Sequence, residues 1–248
     1  GLKSLTLKGE APADLGQARL LVTKAGFFLR TGTKIFYSKD LTNWHLSVQL
    51  EHSYLRQMFS AYYDKEKDMV FVYAGEYSYK DPSDRHAVYR GSFDLNGKGN
   101  WEKILEFRPL SEWRENASNL DAVRHIHVVE VDPYTGHLWV CTGDKDIHSR
   151  IYVSEDGGES FKIIGMGSQS FRTLSVWFTK NFVYWSMDTT GPQSIWRISR
   201  EVYERECTWP SITPELCHGS TRPGVRYLVV KEKTSGYFPI GPGGVYKE

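Results

Sequence analysis

The stretch RHIHVVEVDPYTGHLWVCTGDKDIHSRIYVSEDGGESF, at residues 124–161, predicts three β-strands joined by two turns. The segments at residues 124–131, 137–142 and 150–154 are rich in apolar and β-branched side chains, which is typical of strands. DPYTG at residues 132–136 favours a turn through its proline and glycine, and GDKD at residues 143–146 opens a polar loop. Strands this short, separated by turns, indicate an all-β fold made of meandering sheets.

The end of this stretch, SEDGGESF, resembles the Asp box of bacterial neuraminidase (BNR) repeats, whose pattern is Ser/Thr-x-Asp-x-Gly-x-Ser/Thr-Trp/Phe. Its defined places are filled by Ser154, Asp156, Gly158, Ser160 and Phe161. The aspartate can accept backbone N–H bonds inside a tight turn, glycine supplies a positive φ, and the aromatic residue anchors the outgoing strand. In that family the box is a structural turn at the edge of a β-propeller blade, so the resemblance implies a fold rather than a chemistry.

The same unit recurs along the chain. Predicted strands at residues 17–23, 26–30 and 34–38 lead to Ser38, Asp40 and Trp44, which form a degenerate box that lacks the glycine. A second unit has strands at residues 56–63, 69–74 and 86–92 and an altered turn at residues 94–101. The unit quoted above is the third, and strands at residues 171–179, 182–187 and 194–199 begin a fourth without a box. Residues 200–223, which contain three prolines, are predicted to be irregular.

The two ends of the chain are predicted to close a ring. Residues 225–231, 236–240 and 244–247 form three strands of a fifth unit, and residues 2–8 alternate apolar and polar side chains without a unit of their own. If the N-terminal strand completes the last blade, no sheet edge is left exposed. We therefore predict a single domain over residues 1–248, a five-bladed propeller of four-stranded antiparallel blades. Six blades, or a fragment of a longer propeller, are the alternatives.

Composition restricts the partners and the compartment. A formal net charge of +1 gives no general attraction to nucleic acid or to a membrane surface, and no apolar run is long enough to span a bilayer. No signal peptide is visible and Gly1 is typical of a trimmed chain, so localisation stays open, although the family resemblance favours an extracellular protein. Cys141, Cys207 and Cys217 match no zinc spacing, and a Cys207–Cys217 disulfide is left open.

An arginine stands at the start of the first strand of each unit. These residues are Arg19, Arg56, Arg124, Arg172 and Arg226, and the acids that end second strands are Glu76, Asp144 and Asp188. Because successive strands are antiparallel, both sets are predicted to lie on one face, around a channel lined by the first strands. One interpretation is a structural ring of ion pairs. The other is a set of guanidinium forks for the carboxylate or sulfate of a ligand, favoured by the surplus of arginines.

Two histidines sit on the first strand of the third unit. His125 and His127 alternate with Ile126 and therefore point to one face, whereas Arg124 points to the other unless the strand bulges. They are interpreted either as hydrogen-bonded structural residues or as proton-transfer groups. The candidate catalytic residues are His125, His127, Asp144, Glu76 and Asp188. Asp146 and His148 add further donors, but the set defines no coordination geometry, so no metal site and no cofactor are predicted.

The resemblance also implies a range of functions. Propellers with this box include sialidases, other glycoside hydrolases, polysaccharide lyases and binding modules. Sialidases carry a Phe/Tyr-Arg-Ile-Pro motif near their start, whereas FRTL at residues 171–174 departs from it. We expect a carbohydrate-active propeller that acts on or binds an acidic glycan, as a hydrolase or a lyase, with Tyr77, Tyr79 and Trp113 suited to stacking on sugar rings. The alternative is a non-catalytic module that binds a glycan or a protein, within a larger assembly.

Overall fold

The computed structural model describes residues 18–53, 58–78, 83–109, 111, 122–188, 193–206 and 214–220, and within them four antiparallel sheets contain four strands each. The first sheet consists of β1 (Ala18–Val22), β2 (Phe27–Thr31), β3 (Lys34–Ser38) and β4 (His45–Gln49). The second consists of β5 (Phe59–Asp64), β6 (Met69–Gly75), β7 (His86–Phe93) and β8 (Gly99–Phe107). The third consists of β9 (His125–Val131), β10 (Leu138–Gly143), β11 (Arg150–Ser154) and β12 (Lys162–Met166). The fourth consists of β13 (Thr173–Phe178), β14 (Phe182–Met187), β15 (Gln193–Ser199) and β16 (Glu215–Ser220).

Every described sheet is an antiparallel meander in which neighbours along the chain are neighbours in space. The first strands pack on one another from sheet to sheet, β1 on β5, β5 on β9 and β9 on β13. Three hydrophobic clusters fill the spaces between successive sheets. Trp139 and Trp185, both almost fully buried, belong to the cluster between the third and fourth sheets. Sheets stacked face to face around their first strands are the blades of a β-propeller.

The four described blades confirm the predicted all-β class, and the strand bounds differ from the predicted ones by a few residues. The irregular stretch predicted at residues 200–223 is wrong in part, because it contains a helix, α1 (Arg200–Glu206), and β16. Tertiary contacts hold α1, whose Tyr203 is fully buried against Trp139 with ring centroids 5.4 Å apart. No helix among the described residues is long and apolar enough to cross a membrane. The predicted closing strand at residues 2–8, the fifth unit and the Cys207–Cys217 pairing lie outside the described residues or side chains.

The turn at residues 154–161 is held by its own serines and aspartate. The Ser154 hydroxyl donates to Asp156 Oδ1 at 2.7 Å and accepts the Gly158 N–H at 2.7 Å. Asp156 Oδ1 also accepts the Ser160 N–H at 3.0 Å, while Gly157 and Gly158 have φ of 77° and 105°. Partial burial alone would raise the pKa of Asp156, but hydrogen bonds from Ser160 and Ser154 lower it well below its usual value. The carboxylate therefore stays ionised and organises the turn.

The shorter turn after β3 works in the same way without a glycine. Asp40 Oδ1 accepts the N–H groups of Thr42 and Asn43 at 2.9 Å each, and Ser38 Oγ accepts that of Leu41 at 2.9 Å. Leu41 takes the left-handed conformation, with φ of 67°. Because a residue with a Cβ is disfavoured there, the side-chain hydrogen bonds offset a local strain that glycine avoids in the turn at residues 154–161.

We expect Asp156→Ala to lower the free energy of unfolding by about 1–3 kcal/mol, because the N–H of Ser160 and the hydroxyls of Ser154 and Ser160 lose their acceptor. Urea unfolding followed by circular dichroism measures the change. Glu155→Ala is the matched control, since its ion pair with Lys162 lies at the surface and contributes at most about 1 kcal/mol. Equal effects of the two substitutions would show that the turn does not depend on its aspartate.

Candidate functional site

The strand register fixes which residues meet at each end of the third blade. At one end His125 pairs with Gly143, and Thr142 pairs with Arg150. At the other end Leu138 pairs with both Val131 and Ser154, where the turn at residues 154–161 begins. The predicted site residues around Asp144 and this turn therefore lie at opposite ends of the sheet, as the connectivity predicts.

Asp144 is the centre of a polar cluster at the first of these ends. Its Oδ2 accepts from Arg124 Nη1 at 2.8 Å, and its Oδ1 accepts from Arg172 Nη2 at 3.0 Å. The Nε2 atoms of His125 and His127 lie 3.2 Å and 3.4 Å from the same Oδ1. Arg172 Nη2 also donates to Asp188 Oδ2 at 3.2 Å. The Asp144 cluster is defined by Arg124, His125, His127, Asp144, Arg172 and Asp188.

Both histidines and Arg124 reach one carboxylate, and β9 has a bulge at His127. Cys141 pairs with Val128 and Thr142 pairs with Ile126, so His127 is an extra residue without a partner on β10. Strict alternation would have sent Arg124 to the opposite face from the histidines. Arg124 lies immediately before β9, outside the paired strand, so alternation does not fix its direction and it reaches Asp144 together with the histidines.

The two histidines and Asp144 are largely withdrawn from water, and this burial affects the pKa values of His125 and Asp144. His125 and His127 are 3% and 1% exposed, and the Asp144 side chain is 16% exposed. Burial alone would raise the pKa of Asp144, but the hydrogen bonds and charges of the two histidines lower it far below its usual value. Burial lowers the pKa of His125, although Asp144 opposes the change. These contacts favour the ionised form of Asp144, which suits a hydrogen-bond acceptor better than a general acid.

Glu76, another predicted catalytic residue, has a different environment. It follows β6, is 1% exposed, and accepts the backbone N–H groups of Glu51, His52 and Ala87 at 2.8, 3.2 and 3.2 Å. Burial raises its pKa, and these hydrogen bonds oppose the rise. The carboxyl group ties the loop after β4 to the second blade and makes no described contact with the Asp144 cluster.

The structure brings together only some of the predicted arginines. Arg124 and Arg172 join the Asp144 cluster, whereas Arg19 bonds to Glu130 at 3.4 Å, near the other end of β9. Arg56 and Arg226 lie outside the described residues, as do Tyr79 and Trp113 among the predicted stacking aromatics. Tyr77 is described, and its ring centroid lies 4.5 Å from that of His125.

Two contacts at the cluster carry no signal in the sequence. Gln169 Nε2 donates to the Asp144 carbonyl at 3.0 Å and to Asp146 Oδ1 at 2.7 Å. The Thr173 carbonyl accepts from His127 Nδ1 at 2.9 Å. Gln169 belongs to a short 3-10 turn between two blades, and a backbone carbonyl is independent of residue type. Both contacts arise from the packing of the fourth blade on the third.

Comparison with protein-family models and with curated proteins gives no match. Among solved structures, the chain is similar to YCF48 bound to D1 peptide, with 17% identity, 76% of this chain and 52% of that chain covered, and a TM-score of 0.40. It is similar to a Trypanosoma rangeli sialidase in complex with 2,3-difluorosialic acid, with 14% identity, 74% and 36% covered, and a TM-score of 0.45. The GH43 endo-arabinanase from Bacillus licheniformis gives 14% identity, 73% and 70% covered, and a TM-score of 0.36. The chain spans about half, or less, of the first two proteins, and likeness at this level assigns no function.

Proposed function

We propose that this propeller takes up an acidic glycan at the Asp144 cluster and acts on it as a glycoside hydrolase or a polysaccharide lyase. The observation that carries the proposal is that the guanidinium group of Arg124 is partly exposed and only partly hydrogen-bonded. Its side chain is 46% exposed, and its only hydrogen bond to a described residue is the one from Nη1 to Asp144. Nε and Nη2 are thus available to a ligand, and a guanidinium group binds a carboxylate or sulfate through two parallel hydrogen bonds.

The carboxylates beside Arg172 favour the hydrolase. Asp144 and Asp188 approach the same guanidinium nitrogen at 3.0 and 3.2 Å, so their oxygens lie close together. Most glycoside hydrolases use two carboxyl groups that flank the scissile bond. In the retaining type these two groups are roughly 5–5.5 Å apart. Asp144, whose pKa is lowered, would carry the charge of a nucleophile or of a group that stabilises a positive transition state.

The histidine next to the arginines favours the lyase. A lyase removes the proton next to the sugar carboxylate, and an uncharged imidazole can accept that proton while an arginine balances the developing negative charge. Burial lowers the pKa of His125, which favours the uncharged imidazole, and Arg124 precedes it in the chain. Tyr77, partly exposed and beside His125, is an aromatic residue that would contact a sugar in either case.

A binding-only propeller is the second candidate. Each of the described arginines at the start of a first strand already has a carboxylate partner, Glu130 for Arg19 and Asp144 for Arg124 and Arg172. Such pairs form the structural ring that the sequence also allowed. In that case the blades would present a rigid surface to a glycan without a reacting group.

We expect Arg124→Ala to weaken the binding of an acidic polysaccharide by about 10–100-fold, the value of one or two hydrogen bonds between charged groups. Arg124→Lys should restore only part of the affinity, because an ammonium group cannot reproduce the paired geometry. Arg19→Ala, which removes an arginine near the other end of β9, is the matched control and should bind like the wild type. Calorimetry with a panel of acidic and neutral polysaccharides measures these affinities.

The products of the same panel distinguish the activities. New reducing ends without unsaturated-uronate absorbance identify a hydrolase, and both signals together identify a lyase. Binding without either signal identifies the binding-only propeller. If no acidic polysaccharide binds, or if Arg124→Ala weakens acidic and neutral glycans equally, the proposed anionic recognition is wrong.

A further inference from the structure

The tautomer of His127 leaves a lone pair in an unfavourable place. Nδ1 lies 2.9 Å from the Thr173 carbonyl oxygen, which can only accept, so Nδ1 carries a hydrogen. In the uncharged ring Nε2 is then an acceptor, and it faces Asp144 Oδ1 at 3.4 Å and Asp188 Oδ2 at 3.9 Å. The two carboxylate oxygens already accept from Arg172 Nη2, but the lone pair of His127 Nε2 still faces them, and burial of the ring makes this repulsion costly. A cation between them would remove the repulsion.

A proton on Nε2 of His127 satisfies this arrangement less well than a metal ion. A charge-assisted N–H···O bond is typically about 2.7–2.9 Å long, clearly shorter than the 3.4 Å from His127 to Asp144. Two ligand atoms that each lie about 2.0–2.1 Å from a tetrahedral zinc ion are separated by about 3.3 Å. The distances of 3.2 and 3.4 Å from Asp144 Oδ1 to the two imidazole nitrogens match that separation.

We propose that His125, His127 and Asp144 form a binding site for a divalent transition-metal ion of the zinc type. One potential ligand atom from each of the three lies within 4.8 Å of those of the other two. Two imidazoles and one carboxylate are the ligands of open zinc centres, whereas calcium and magnesium prefer oxygen alone. The Thr173 carbonyl holds His127 in the required tautomer, a contact that usually accompanies a metal-bound histidine.

The surroundings of the three ligands are consistent with this site. Nε2 of His125 lies 3.2 Å from Asp144 Oδ1 and donates to this carboxylate in the metal-free chain. Metal binding would require that hydrogen to move to Nδ1, which has no hydrogen-bond partner among the described residues. Asp188 is placed to accept a hydrogen bond from a water molecule in the open coordination position. Arg124 and Arg172 oppose a further cation, and the carboxylates of Asp144 and Asp188 offset them.

The structure also selects among the five donors that the sequence offers. Asp146 bonds to Gln169 at 2.7 Å, and His148 is a buried residue of the short 3-10 turn after β10. Neither belongs to the group of three whose potential ligand atoms converge. The site therefore draws on β9 and the residue after β10, and the fourth blade contributes the Thr173 carbonyl that orients it.

The test uses the whole chain and zinc alone, with no glycan present, so it stands or fails apart from the proposed function. Protein incubated with zinc and dialysed against metal-free buffer is expected to retain about one equivalent by elemental analysis. His127→Asn and Asp144→Asn should each weaken zinc binding by more than about 100-fold, which exceeds the usual effect of losing a residue that only supports a ligand. His137→Asn, near the other end of the third blade, is the matched control and should retain the ion.

A measurement on the wild type keeps the test decisive if a variant fails to fold. X-ray absorption at the zinc edge should show two imidazole nitrogens and oxygen ligands, and zinc should raise the melting temperature of the wild type. Absence of bound zinc in the wild type would overturn the proposal. Retention by Asp144→Asn and His127→Asn, or equal loss in His137→Asn, would overturn it as well, because the ion would then be bound elsewhere.

Discussion

Arg200→Ala is expected to lower the free energy of unfolding by about 3–5 kcal/mol, because it leaves a buried carboxylate without its cation. Arg200 donates to both oxygens of Asp132, with Nη2 at 2.8 Å from Oδ1, and its Nε donates to the Thr179 carbonyl at 2.7 Å. Asp132 is fully buried and Arg200 is 6% exposed. The pair joins the turn after β9 in the third blade to the start of α1, which connects β15 and β16 of the fourth blade.

Urea unfolding gives the change, and two further variants assign its cause. Arg197→Ala, three residues earlier, removes a guanidinium that lies 4.3 Å from the ring of Phe182, and we expect a loss of only about 0.5–1 kcal/mol. Arg200→Met combined with Asp132→Asn buries no isolated charge and should recover part of the loss. If Arg200→Ala costs no more than Arg197→Ala, the buried pair does not hold the two blades together.

The same pair explains why the sequence did not reveal α1. The helix has seven residues, too few for an apolar period to be distinguished from chance, and residues 207–223 beyond it contain prolines and cysteines that favour a loop. Its contacts are distant in the chain, since Arg200 meets a residue 68 positions earlier. A local pattern cannot contain such a contact, whereas the hairpins that join the first three strands of each described blade are local and were predicted to within a few residues; β16 was not predicted.

Only part of the candidate site could likewise be predicted from local sequence patterns. The meander predicts that Arg124, Arg172 and Asp144 share a face, and the structure places them in one cluster, whereas alternation set Arg124 against His125 and His127. The position of one blade along its neighbour depends on contacts between distant residues, which a local pattern does not show. The sequence therefore did not predict that Arg19, at the start of β1, lies beside Glu130 near the far end of β9. The bulge at His127 and the Thr173 carbonyl that orients its ring likewise depend on the packing between blades.

Lowering the pH from about 6.5 to about 4 is expected to reduce the free energy of unfolding through His86 by about 3 kcal/mol. His86 is 1% exposed, and its Nε2 lies 3.1 Å from the backbone of Ser78. Burial lowers its pKa from 6.5 to about 4. Between these values the unfolded chain binds a proton that the folded chain rejects, so stability falls as the pH falls. Below about pH 4 both states are protonated, and this contribution changes no further.

His86→Gln removes the ionisable group and retains an amide near Ser78, so the variant should lose less stability on acidification than the wild type. The difference should grow by up to about 1.4 kcal/mol per pH unit, the value for one proton, when urea unfolding is followed across this range. His148, 2% exposed, has its pKa lowered to about 4 by burial as well, so adding His148→Gln should flatten the dependence further. His45→Gln, on an exposed position of β4, is the matched control and should follow the wild type. If the stability of His86→Gln changes with pH in the same way as that of the wild type, His86 already accepts its proton in the folded chain near pH 6.5.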